Sequence, residues 1–182
     1  MTGNVTVIVC GAPLATRTPD LLRALAVEGW TSIVIGTPAA RAWLDPDAVR
    51  TVLGAPPQFD FRAPGEPKQG GPPDAVVVCP ATFNTLNKAA SGAADTYALA
   101  RLCEALGEGV PVVAVPTVNE KLWGHPAWRR NLALLESAGT VLLDAHTGRP
   151  GARPIAAELG GDPGAIFEPS WVTKALRSFS RS

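Results

Sequence analysis

Thr82, Asn84, Thr85 and Asn87 stand within six consecutive positions, four hydrogen-bonding side chains where capping a helix uses one. They follow the apolar run Ala75 to Cys79, so they crowd a strand exit and the first turn of the helix after it. The surplus points to a ligand. Gly92 then interrupts that helix and Asp95 restarts it, a departure from helix propensity that suits close approach of another backbone or of a ligand. Two other turns have similar potential. Cys10-Gly11-Ala12-Pro13-Leu14-Ala15-Thr16 is a small-residue turn whose amides and Thr16 suit a phosphate at a helix start, and it equally suits a bare turn. It lacks the G-x-G-x-x-G spacing, so a dinucleotide site is not indicated. Thr37-Pro38 has the form of an N-cap followed by proline at the first helical position, with a hydroxyl that also fits a phosphate. Trp43 nearby reads as packing.

The elements that hold these turns are legible from hydrophobic patterning. Val5 to Cys10, Thr31 to Ile35, Ala75 to Cys79, Val110 to Val115 and Thr140 to Leu143 are short, β-branched and continuously apolar, as parallel strands covered on both faces are. Helical spacing lies between them, as in Leu21, Leu22, Leu25 and Ala26, or Leu132, Leu134, Leu135 and Ala138. Strand and helix alternate, which predicts an α/β doubly wound parallel sheet with ligands beyond the carboxyl ends of its strands. The expected organisation is one domain over residues 1–182 with two loop-rich stretches. Gly54 to Pro73 holds six prolines and four glycines where a crossover helix is due, with Gln58 to Arg62 as a candidate short edge strand. The tail at 146–182 is similar until Pro169 and Ser170, which open a closing helix to Ser178.

Charge narrows the partners. Sixteen Lys plus Arg balance sixteen Asp plus Glu, so neither nucleic acid nor an anionic membrane is expected. No basic segment precedes Val5, and no apolar run approaches the roughly 20 residues a bilayer requires, which makes the cytoplasm the expected compartment. Cys10, Cys79 and Cys103 have no paired spacing and sit in apolar stretches, as buried reduced thiols do.

The stretch PATFNTLNKAASGAADT resembles the PASANT motif and its following G-x-x-D in the homo-oligomeric flavin-containing cysteine decarboxylases, which include phosphopantothenoylcysteine decarboxylases and lantibiotic peptidyl-cysteine decarboxylases. Pro80, Ala81, Asn84 and Thr85 match the motif, Thr82 replaces its serine, and Phe83 its second alanine. VPTVNEKLWGHPAWRRNL resembles the family's PxMNxxMW substrate clamp, with Pro116, Asn119 and Trp123 kept and Val118 and Leu122 in place of methionines. The opening turn and Thr37-x-Ala39-Ala40 fall where the family contacts the flavin phosphate.

The resemblance implies a three-layer, Rossmann-like (flavodoxin-like) domain that binds FMN at a subunit contact in a homo-oligomer, a trimer or a multiple of it. It places Gly11, Ala12, Pro13, Thr37, Ala40, Pro80, Ala81, Thr82, Thr85 and Asp95 around the cofactor. Asn84 falls at the flavin and the substrate carboxylate, and Asn119 and Trp123 fall on a small-molecule or peptide substrate. The implied reaction oxidises a cysteine side chain to a thioaldehyde, from which carbon dioxide leaves because the developing charge delocalises into C=S.

Two departures accompany it. The family's basic histidine precedes the PASANT motif, whereas this chain has only His125 and His146, both after it. His125 reads as a helix-start residue. Gln58 or Asp60 would have to stand in, and only Asp60 can act as a base, given burial that raises its pKa. The flap cysteine that phosphopantothenoylcysteine decarboxylases carry after the fifth strand has no counterpart in Asp144 to Pro150. A flavin-binding module without chemistry and a flavin prenyltransferase-like enzyme are therefore the alternatives, the latter disfavoured by the Asn119 to Trp123 clamp.

Overall fold

A computed structural model describes residues 3–66, 70–155 and 163–179. Parts of the two loop-rich stretches, at 67–69, 156–162 and 180–182, lie outside the described residues.

The β-branched runs form five parallel strands: β1 (Gly3–Val9), β2 (Trp30–Gly36), β3 (Ala75–Ala81), β4 (Val112–Pro116) and β5 (Thr140–Leu142). Their order in the sheet is β2-β1-β3-β4-β5, the flavodoxin-like arrangement. Val7 pairs with Val34 on one side and Val77 on the other, and Val77 with Val113, so the strand centres stack valines across the sheet.

Alternation along each strand divides these residues between two cores. Val5, Val7, Val77 and Val113 face α1 (Thr18–Val27), α2 (Pro46–Leu53) and the closing helix, meeting Leu21, Leu25, Val49 and Leu176. Ile8, Val76, Val78 and Ala114 face α3 (Phe83–Ala90), α4 (Tyr97–Glu108) and α6 (Trp128–Ser137), meeting Leu86, Leu102 and Trp128. Short α5 (Glu120–Trp123) leads into α6, and α7 (Pro163–Ile166) precedes the closing helix α8 (Pro169–Phe179). The result is a three-layer α/β fold, as the sequence predicts.

Three local expectations are corrected. The expected edge strand at Gln58 to Arg62 contracts to one bridge, in which Gln58 pairs with Ile35 through Gly36 N–H to Gln58 O (2.7 Å) and Gln58 N–H to Val34 O (2.9 Å). The ring of Phe59 then fills the space over Gly36, and Asp60 to Arg62 turn to solvent. The helix after Gly92 starts at Tyr97 and is capped by Thr96, whose Oγ1 accepts from Leu99 N–H at 3.3 Å. Asp95 does not restart it, because its carboxylate is taken by Lys88. Thr37 precedes a 3-10 turn over Pro38–Ala42 and makes no side-chain cap.

Candidate functional site

β1 and β3 lie side by side while their crossovers run to opposite faces, and ligands bind at such a switch point. The loops leaving β1, β2, β3 and β4 here enclose a cleft of about 610 Å³. Gly11, Ala12 and Pro13 come from the first, Thr37 and Trp43 from the second, and Thr82, Asn84, Thr85 and Lys88 from the start of α3. Thr117, Val118, Asn119 and Leu122 come from the fourth, with Thr96 and Leu99 contributed by α4.

The first two loops touch backbone to backbone. A Cβ on Gly11 would fall 2.7 Å from the carbonyl oxygen of Ala39, so only glycine fits there. Thr37 is 8% exposed and its hydroxyl caps nothing, so the capping explanation open to it in the sequence fails.

At the third loop, hydroxyls are organised from below. The buried Cys10 thiol donates to Thr85 Oγ1 at 3.2 Å, Thr85 Oγ1 lies 3.1 Å from Thr82 Oγ1, and Thr82 Oγ1 also accepts from Thr85 N–H at 3.5 Å. Burial pushes the Cys10 thiol up despite the Thr85 and Thr82 hydrogen bonds that pull it down, so the sulfur keeps its proton as a donor. Asn84 is exposed on the wall, and its amide makes no hydrogen bond among the described residues. Asn119 caps α5 with Oδ1, which accepts from Leu122 N–H at 2.9 Å, and this leaves its NH2 donors for the cleft.

The remaining site candidates do not line the cleft. Ala40 and Ala81 are fully buried and Pro80 is buried within β3, so these three shape the loops from beneath. Asp60 is exposed and ion-paired with Arg41, whose guanidinium also lies 4.3 Å over the Phe59 ring. The burial that a carboxylate base needs is absent, and Asp60 instead ties its loop to the turn after β2 through an exposed ion pair. Asp95 reaches the site only through Lys88, 2.5 Å away. Trp123 packs edge-on against buried Trp128 at 5.4 Å. Asn87 spends its amide inside the fold, donating to Phe83 O at 2.9 Å and accepting from Asn131 Nδ2 at 2.6 Å. Thr16 donates to Pro13 O at 2.9 Å, and the His125 ring accepts from Ala127 N–H at 3.2 Å, as a helix-start residue does.

Several wall residues were not singled out as site residues in the sequence. Trp43, expected to pack, is 42% exposed on the wall. Phe83 lines the cleft while stacked on Trp128 at 5.1 Å. Lys88 had a readable signal, since it follows Asn84 by one helical turn and must share its face. Thr96 and Leu99 had none, because α4 reaches the cleft only through the fold.

The chain matches the Flavoprotein family over residues 2–165. It is 28% identical over 179 residues to the coenzyme A biosynthesis bifunctional protein CoaBC of Escherichia coli K12, covering 94% of this chain and 42% of that protein. The chain thus spans about two fifths of the length of this curated relative. Among solved structures it resembles the FMN-dependent cysteine decarboxylase SpaF, at 27% identity, TM-score 0.66, and coverage of 95% of this chain and 97% of that one. It also resembles the FMN-dependent cysteine decarboxylase TvaF from thioviridamide biosynthesis, at 27% identity, TM-score 0.68, and coverage of 79% and 91%.

Proposed function

The chain belongs to the Flavoprotein family, and from that premise we propose that it is an FMN-dependent decarboxylase acting on a small or peptide-borne cysteine-like carboxylate. FMN is its cofactor, and the residues present fit that group. The cleft has the volume of a cofactor site, Gly11 leaves backbone at its floor, and the Thr37 hydroxyl is not used in capping. Gly11, Thr37, Thr82 and Thr85 would hold the phosphate and ribityl chain, with Trp43, Leu99 and Val118 supplying apolar wall. Bound FMN supplies a two-electron oxidant for the Cβ–S unit of the substrate.

The chain's own share is orientation. Asn84 and Asn119 offer neutral amide donors from the neighbouring loops that leave β3 and β4, which suits a carboxylate that must later leave as carbon dioxide, since these amides hold it without strongly stabilising it. Trp43 and Leu122, each 42% exposed on the rim, support a cleft completed in a homo-oligomer.

The observation that carries this reading is the convergence of Gly11, Thr37, Thr82, Asn84 and Asn119, from four separate strand ends, on one cleft. Its test incubates FMN-loaded protein with cysteine-terminated peptides and with phosphopantothenoylcysteine, and looks by mass spectrometry for loss of carbon dioxide plus two hydrogens. The second reading, a flavin-binding module without chemistry, is favoured by one feature: among the described residues the wall carries no histidine or carboxylate. FMN uptake without any such product supports that reading and overturns the first.

A further inference from the structure

Among the described residues, Lys88 is the one charged side chain on the cleft wall. It lies one turn after Asn84 on α3, so the two side chains rise from the same helical face. Beyond α3 the chain reverses at Gly92 (φ 74°), and Ala93 N–H donates to Lys88 O at 2.9 Å. This reversal returns Asp95 to the helix end, where its Oδ2 meets Lys88 Nζ at 2.5 Å. Both partners are half-open to solvent, with side chains 35% and 55% exposed, and pairs that open contribute little to stability. An ammonium has three N–H donors, and Asp95 Oδ2 occupies one of them. The other side-chain donors on the wall, the amides of Asn84 and Asn119 and the threonine hydroxyls, are neutral.

We propose that Lys88 is the charged partner of the substrate's carboxylate and that Asp95 competes with that carboxylate for it. The inference rests on the decarboxylase reading and adds a specificity-determining residue to it. Charge-assisted bonds from the ammonium select an anion over a neutral isostere. The Asp95 carboxylate repels the same anion and shares the same cation. A full-strength ionic grip would hold the substrate's carboxylate too well for it to depart, and competition by Asp95 moderates the grip. The two halves of this ion pair therefore have opposite effects on ligand binding, whereas a purely structural pair loses the same contribution from either side.

The test titrates FMN-loaded protein with N-acetylcysteine and with its neutral amide, following flavin absorption, beside titrations of the apoprotein with FMN and with riboflavin. Wild type prefers the carboxylate over the amide by about tenfold, the scale of one charge-assisted hydrogen bond. Lys88→Met erases the preference, Lys88→Arg keeps it, and Asp95→Asn enlarges it by roughly threefold as the competing charge is removed. The preference for FMN over riboflavin stays the same in all four proteins. An undiminished carboxylate preference in Lys88→Met overturns the proposal. So does parallel weakening by Lys88→Met and Asp95→Asn, and so does a changed FMN-over-riboflavin preference, which would assign the ammonium to the phosphate. Should Lys88→Met fail to fold, the wild-type preference is read against ionic strength, where a decline with added salt supports the proposal and a flat response overturns it. A wild-type protein that takes up FMN but shows no preference overturns the Lys88 role alone. One that takes up no FMN overturns the reading of the site as well.

Discussion

Gly11 and Ala39 meet so closely that a Cβ on the glycine would lie 2.7 Å from the Ala39 carbonyl oxygen. This contact locks the loop leaving β1 against the loop leaving β2 and fixes the floor of the cleft. Gly11→Ala must part the two backbones, because no flexible side chain is there to yield. It is expected to weaken FMN binding by at least about tenfold while the apoprotein still unfolds cooperatively, since the rest of the core is untouched. Flavin fluorescence titration with a parallel thermal melt checks both. FMN affinity equal to wild type would show that the floor is not part of the cofactor site.

Asn131 Nδ2 donates to Asn87 Oδ1 at 2.6 Å, joining α6 to α3, the two helices that the stack of Phe83 on Trp128 also connects. Asn131 is 8% exposed, so removing it leaves a partly buried acceptor unpaired. Asn131→Ala should cost about 1–3 kcal/mol in urea unfolding, with FMN affinity within about twofold of wild type. Lost affinity at unchanged stability would instead make Asn87 a ligand contact.

Asp144 lies two residues beyond β5 with its side chain 5% exposed. Oδ1 accepts from His146 N–H, Thr147 N–H and the Thr147 hydroxyl, and Oδ2 accepts from Arg153 Nε at 2.7 Å. Burial alone would raise its pKa, but these donors and the Arg153 charge together hold it below the ordinary value of 3.8. A carboxyl lowered on folding contributes stability that is fully present above that ordinary value and is lost as pH falls through the folded value. Asp144→Asn should therefore be less stable than wild type by about 1–3 kcal/mol near neutral pH, with the gap closing in acid. Denaturation over a pH series gives the answer, and a gap independent of pH would mean that packing sets the effect.

The three thiols differ in reach. Cys10 and Cys79 are buried, burial pushes both up, and the neighbouring Cys10 raises Cys79 further. Cys103 is only partly buried, and burial raises it as well. Iodoacetamide should label Cys103 first in the native protein, and Cys10 and Cys79 only after denaturation. Peptide mapping reads this directly, and early labelling of Cys10 would mean that the floor of the cleft opens.

Much of this architecture was legible in the residues because both faces of each strand are covered, so strands appear as unbroken Val and Ile runs. Continuous patterning placed β1 to β5 within about two residues, the ordinary precision of element boundaries. The polar cluster from Thr82 to Asn87 signalled the site, yet its members divide. Asn84 faces the cleft, Thr82 and Thr85 share a hydrogen-bonded network with Cys10, and Asn87 ties helices together. Residue type cannot separate these fates, since an amide that bridges two helices and one that faces a ligand look the same. The burial on which a role for Asp60 depends is likewise not readable from residue type: Phe59 packs inward on Gly36 and leaves Asp60 to solvent and Arg41. Trp43 and Leu99 reach the cleft from elements whose approach only the folded chain defines.

The central claim is that the cleft above the strand ends binds FMN. The most direct measurement is the visible absorption spectrum of freshly purified protein, repeated after incubation with FMN and removal of the excess by gel filtration. The account predicts the bands of oxidised flavin co-eluting with the protein in stoichiometric amount, and less flavin retained by Gly11→Ala. A colourless protein that retains no added FMN would contradict it.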